Sequence, residues 1–91
     1  MLLASDITNH FHFLLVDTRG KVQTFDSVDR SEKGEPEWRI ELTTYSSVGE
    51  TEVKILKHSM RNNQWVFKVK FDGYLESPKE LFDLCKWLRI T

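Results

Sequence analysis

The chain has one cysteine, two prolines, four glycines and no long apolar run, and each shortage narrows what it can be. A lone Cys85 cannot close an internal disulfide or build a multi-cysteine zinc site, so a hydrophobic core must hold the fold unaided. The apolar run at Leu14 to Val16, flanked by Phe13, falls far short of the roughly 18 residues that cross a bilayer. The opening segment, Met1-Leu2-Leu3-Ala4-Ser5-Asp6, carries no basic residue and too short an apolar stretch for a secretory signal. These features predict a cytoplasmic protein with no membrane span. GxSxG, GxGxxG and phosphate-loop patterns are missing, and the glycines are scattered through expected turns. The carboxylate pairs Glu35/Glu37 and Glu50/Glu52 flank loops or turns, where nothing would raise a carboxyl pKa toward working pH. The expectation is a protein that is not an enzyme and carries no cofactor.

What is present is globular in composition, with 91 residues, 40% of them hydrophobic, 12% aromatic and 30% charged. That length gives a single domain, residues 1–91, which buries roughly 60 to 65% of its unfolded surface and leaves little room for a large internal cavity. A formal net charge of -1 conceals a division. Residues 1–52 carry Arg19, Lys21, Arg30, Lys33 and Arg39 against ten carboxylates, whereas residues 53–91 carry eight Lys/Arg against Asp72, Glu76, Glu80 and Asp83. The C-terminal part is therefore the one expected to present a basic surface.

Period-two alternation predicts about five antiparallel strands. Phe11 to Asp17 and Lys21 to Val28 flank Thr18-Arg19-Gly20 and read as a β-hairpin turning at residues 18–20. A polar segment with Gly34 and Pro36 follows at about residues 29–37 and reads as an exposed loop. Trp38, Ile40, Leu42 and Thr44 then alternate with Arg39, Glu41, Thr43 and Tyr45. A turn at Ser46 to Glu50 leads to Val53 and Ile55, and a second at Arg61-Asn62-Asn63 leads to Trp65, Phe67, Val69 and Phe71, completing a three-strand meander.

The last element is a helix over about residues 78–89. Ser77 supplies an N-cap, Pro78 fits the first helical position, and Glu80 is placed to close a capping box. Leu81, Leu84, Cys85 and Leu88 make one apolar stripe, which Phe82 and Trp87 widen on its flanks, while Ile90 falls off it. Residues 1–9 leave open a short helical turn at Ser5-Asp6. The fold class is α+β, with the helix packed on one sheet face over a core of Phe11, Phe13, Leu15, Val22, Trp38, Ile40, Leu42, Val53, Ile55, Trp65, Phe67, Val69, Phe71, Leu81, Leu84, Cys85 and Leu88.

The triplet His10-Phe11-His12 resembles the His-hydrophobic-His metal motif of the HUH nucleases that nick single-stranded DNA. On a strand, His10 and His12 would project to one face and could share a divalent ion. That resemblance implies a metal-dependent nuclease fragment, which also needs a tyrosine on a helix. Tyr45 and Tyr74 fall instead in strand or turn contexts, so the nuclease is a minor alternative and the two histidines read first as the polar side of a strand whose other side is core. The C-terminal helix with Trp87 is similar to the close of the pleckstrin-homology fold, but five strands stand here where that fold has seven. Cys85 lies in the apolar stripe, where a free cysteine behaves as an inert small hydrophobe.

A binding role has more support. Alternation puts Lys54, Leu56, His58, Val66, Lys68 and Lys70 on the side away from the core, with Arg61 at the turn. That mixed basic and apolar face suits a non-catalytic module acting through protein-protein interaction, as adaptor, inhibitor or assembly subunit. The same face could serve as a single-stranded nucleic acid platform, with cations for phosphates. An unidentified protein partner is expected ahead of nucleic acid, because a near-neutral chain is not the usual nucleic-acid footprint. Self-association through a free strand edge is a further expectation.

Overall fold

Left-handed turns organise the chain in the computed structural model, which describes residues 2–45 and 50–90. Gly20, at φ 60°, and Lys21 join β1 (Phe13–Arg19) to β2 (Val22–Ser27), with Arg19 paired to Val22. The expected hairpin is present, its turn at residues 20–21 rather than 18–20. Asn62 and Asn63, at φ 49° and 62°, join β4 (Glu50–Arg61) to β5 (Gln64–Leu75). Asparagine tolerates positive φ better than most residues, and a two-residue turn of that conformation matches the twist of the flanking strands. Between the hairpins runs β3 (Trp38–Tyr45), which pairs with β2 and with β4. The turn expected at Ser46 to Glu50 falls almost wholly outside the described residues.

All five strands form one antiparallel sheet in the order β1-β2-β3-β4-β5, leaving β1 and β5 as its free edges. A short helix, α1 (Ala4–Thr8), precedes the sheet and a longer one, α2 (Pro78–Leu88), follows it. The architecture is thus α+β, with helices and sheet enclosing one core. No described helix is long and apolar enough to cross a membrane.

Both helix starts are capped by side chains. Asp6 accepts a hydrogen bond from the Leu3 N–H at 2.8 Å, and the Ser77 hydroxyl accepts one from the Glu80 N–H. The Glu80 carboxylate reaches the N–H of Glu76 at 2.8 Å, one residue ahead of the N-cap that a capping box would satisfy. At the other end Arg89 adopts φ 62°, and the Ile90 N–H bonds to the Cys85 carbonyl at 2.8 Å. This left-handed close folds Ile90 back into the core, where it is buried despite lying off the helical stripe.

The core gathers Phe13, Phe25, Trp38, Ile40, Leu42, Val53 and Ile55 from the sheet, Leu81 and Cys85 from α2, and Leu2 and Ile7 from the N-terminal segment. Phe11, Phe71, Leu84 and Leu88 pack against it partly buried. Several expected core residues are not in it. Leu15 pairs with Phe25 but is 44% exposed on edge strand β1, and Val22 is only half-buried near the turn. Phe25 takes the place in β2 that Val22 was expected to hold. Trp87, at 77% exposure, does not widen the buried face.

The largest departure is a β-bulge. Ile55 pairs with Phe71 but the next residue, Leu56, pairs with Val69, so Lys70 is the extra residue in β5. One inserted residue exchanges the faces of everything beyond it. Phe71 therefore stays on the helix face, whereas Val69, Phe67 and Trp65 turn to the far face, and Val66 and Lys68 turn toward the helix side. Gly73, two residues from Phe71 on the same strand, leaves the ring room: a Cβ there would stand 3.0 Å from Phe71 Cζ.

Candidate functional site

The bulge divides the expected basic surface. Lys54, Leu56 and His58 stay on the far face, opposite Asp72, Val69 and Phe67. Val66 and Lys68, opposite Ser59 and Lys57, lie on the helix face with Lys70, and Arg61 stands at the hairpin end. The seven residues do not form one surface; they contribute to two sites of different character.

On the far face several side chains are already engaged. Arg39 donates to both carboxylate oxygens of Asp26, at 2.7 and 3.1 Å, and its guanidinium lies 4.4 Å from the centroid of the Phe67 ring. This partly buried pair raises the Arg39 pKa, chiefly through the hydrogen bonds to Asp26. Next along the sheet, His58 stacks on Trp65 with centroids 5.1 Å apart, and its Nδ1 meets the Ser31 hydroxyl at 2.8 Å. Ser31 belongs to the segment expected as an exposed loop; Asp29, Arg30 and residues 32–35 are indeed exposed, while the segment also closes on itself. The Ser31 N–H bonds to Glu35 O, the Gly34 N–H to Ser31 O, and the Glu37 N–H to Asp29 O, with Pro36 buried. The His58 N–H donates to Glu37 O at 2.9 Å, fastening the segment to β4. His58 is consequently only 7% exposed and is part of a packed polar cluster rather than an accessible partner surface.

On the helix face a cleft opens where α2 ends and the β4–β5 hairpin runs on. One hollow, of about 400 Å³, is lined by Ser59, Met60, Arg61, Val66, Lys68 and Lys70. A second, of about 350 Å³, is lined by Trp38, Lys57, Lys70, Trp87, Leu88 and Arg89, and Lys70 is common to both. Five cations therefore face this cleft, and among the described residues no Asp or Glu lines it. None of the five is in an ion pair with a described carboxylate; among the described residues the ion pairs are Arg19–Asp17, Arg39–Asp26 and Lys79–Asp83. Lys57 lies over the Trp38 ring at 5.2 Å from its centroid, which holds its ammonium at the cleft floor. Cations gathered without neutralising carboxylates focus a positive potential. Trp87 and Met60, 77% and 55% exposed, give the rim apolar surface.

Sequence reasoning found Arg61, Val66, Lys68 and Lys70 of this cleft and missed Lys57, Trp87 and Arg89. Strict alternation sets Lys57 on the core side, where a lysine is out of place, and that mismatch was the available signal that the core ends before it.

The remaining candidates are dispersed. His10, Phe11 and His12 lie in the bend between α1 and β1, not on a strand, so alternation does not aim the two imidazoles at one point. The His10 ring packs instead on Phe82, centroids 4.6 Å apart. Among the described residues no group of three or more His, Cys, Asp or Glu side chains is placed to hold a metal ion. Tyr45 and Tyr74 sit on β3 and β5 with ring centroids 6.3 Å apart. Cys85 is fully buried in α2, and burial pushes its thiol up to about 12. No protein-family profile, curated protein or solved structure matches the chain.

Proposed function

We propose that this chain is a small non-catalytic binding module that docks a protein partner through the basic cleft at the end of α2, the partner contributing an acidic segment. The observation that carries this reading is the lining of the cleft: Lys57, Arg61, Lys68, Lys70 and Arg89 with no described carboxylate among them, beside an exposed Trp87. Tryptophan and arginine are the residue types most often found at the energetic centre of interfaces. Unpaired cations supply steering and selectivity for an acidic surface. The non-catalytic part of the reading is supported by the state of the nucleophile-type groups. Cys85 is buried with its thiol pushed up, and Ser31 and His58 are engaged in pinning a loop. A lone buried thiol and no described membrane-crossing helix suit a role in the cytoplasm.

Protein is favoured over nucleic acid by the scarcity of stacking surface. Trp87 is the one strongly exposed aromatic on the cleft, whereas Trp65 and Phe67 are committed to the far face. A net charge of -1 also lacks the basic excess that usually marks a nucleic-acid-binding domain. Capture from a native lysate with tagged wild-type protein and with a Lys68→Glu/Lys70→Glu variant tests the reading. The expected result is a protein retained after nuclease treatment and lost with the charge reversal. Loss on nuclease treatment would transfer the cleft to nucleic acid. Equal capture by both variants would dismiss the cleft.

A further inference from the structure

The geometry points to strand addition as the docking mode: an extended partner segment with alternating acidic and apolar residues pairs with the free edge of β5 over Gln64–Val69. This rests on the acidic-partner reading above and specifies the partner's chemistry. β5 is the last strand of the sheet, and among the described residues no strand neighbours its outer edge. Arg61 and Gln64 flank the two-residue turn, and in such hairpins the closing pair exchanges both backbone hydrogen bonds. Alternation from that pair directs the N–H and C=O groups of Trp65, Phe67 and Val69 away from β4, toward the open edge. No backbone hydrogen bond outside the ladder engages them among the described residues. α2 ends at Leu88, beside Lys57 and Lys70 in the cleft, so this stretch of edge runs on past the helix.

The two sides of the edge differ in chemistry because of the bulge. On the helix face an added strand would meet Lys68 and Lys70 and look into the cleft, which no described carboxylate lines. On the far face it would meet Trp65, Phe67 and Val69, the last 49% exposed. A strand has alternating faces, so the segment that satisfies both sides carries Glu or Asp at every second position and an apolar residue between. Lys68 disfavours a second copy of β5 as the occupant, since antiparallel self-pairing over this stretch brings Lys68 of both copies onto one face, close to the Lys70 pair. The bulge at Lys70 breaks the edge regularity, which limits the added strand to about the six residues Gln64–Val69.

The test uses the full chain and fluorescein-labelled nine-residue peptides in an anisotropy titration at low salt. One peptide alternates Glu and Val, a second has the same composition with the glutamates in one block, and two more carry backbone N-methyl groups at the odd or at the even positions. Strand addition predicts binding of the alternating peptide and about tenfold or greater weakening of the block peptide. It also predicts a similar loss for only one of the two N-methylated peptides, the one whose bonding N–H groups are removed. Equal binding of all four, abolished by Lys68→Glu/Lys70→Glu, would overturn strand addition and leave an acidic partner in place. Failure of every peptide to bind would overturn both. Tighter binding of an oligothymidine of equal charge would overturn a peptide occupant in favour of nucleic acid.

Discussion

The Arg39 guanidinium lies 4.4 Å from the centre of the Phe67 ring, on the sheet face turned away from α2. Strict alternation puts Phe67 beneath the helix, so this contact is direct evidence of the phase change at Lys70. A double-mutant cycle of Arg39→Ala with Phe67→Leu is expected to give a coupling of about 0.5–1 kcal/mol in denaturant melts, in the range of partly exposed cation–π pairs. Additive losses would show that the two side chains do not meet.

Helix docking is centred on Leu81 and Cys85, both fully buried, rather than on Leu84, which is partly exposed. Leu81→Ala is expected to cost about 2–5 kcal/mol, and Leu84→Ala distinctly less, because solvent already reaches its side chain. Urea melts of the two variants check the order.

Much of this was legible in the sequence where a local signal and the long-range packing agree. Ser77-Pro78 marks the start of α2 because an N-cap and a proline at the first turn are stable with any neighbour. Trp38, Ile40, Leu42, Val53 and Ile55 are buried as their alternation requires. The bulge is different. Trp65, Phe67, Val69 and Phe71 alternate without interruption, and an extra residue in the pairing leaves no mark on that pattern. The aromatic residues find cover on the far face from Arg39, His58 and the folded segment 29–37, contacts that span long separations in sequence. Gly73 inside β5 was the local hint, since a strand-interior glycine marks bulges and close approaches. Ile90 escaped because an arginine, not a glycine, makes the left-handed helix close.

Burial raises the Cys85 thiol from 9.0 to about 12 in the folded chain. The group therefore contributes its full stability below pH 9, where both states are protonated. Stability falls as pH rises from about 9 toward 12, because only the unfolded chain releases the proton, by up to about 1.4 kcal/mol per unit. The difference between wild type and Cys85→Ala isolates this dependence from residues common to both, such as Tyr45 and Lys79. A pH-independent difference up to pH 11 would contradict the buried placement.

Ser31 pins residues 29–37 to His58. Ser31→Ala is expected to cost about 0.5–1.5 kcal/mol. It should also speed hydrogen exchange at the amides of Gly34, Glu37 and His58, which bond to Ser31 O, Asp29 O and Glu37 O. Unchanged exchange at these three amides would show that the backbone bonds alone hold the segment.

The most direct measurement of the central claim, that the basic cleft receives an acidic segment, is a 15N-NMR titration of the full chain with the alternating Glu/Val peptide. The predicted result is a set of shifts centred on the amides of Lys57, Lys68 and Lys70 and on the Trp87 indole, weakened by added salt and absent from Lys68→Glu/Lys70→Glu. Shifts confined to residues 29–37 or to β1, or no shifts at low salt, would contradict it.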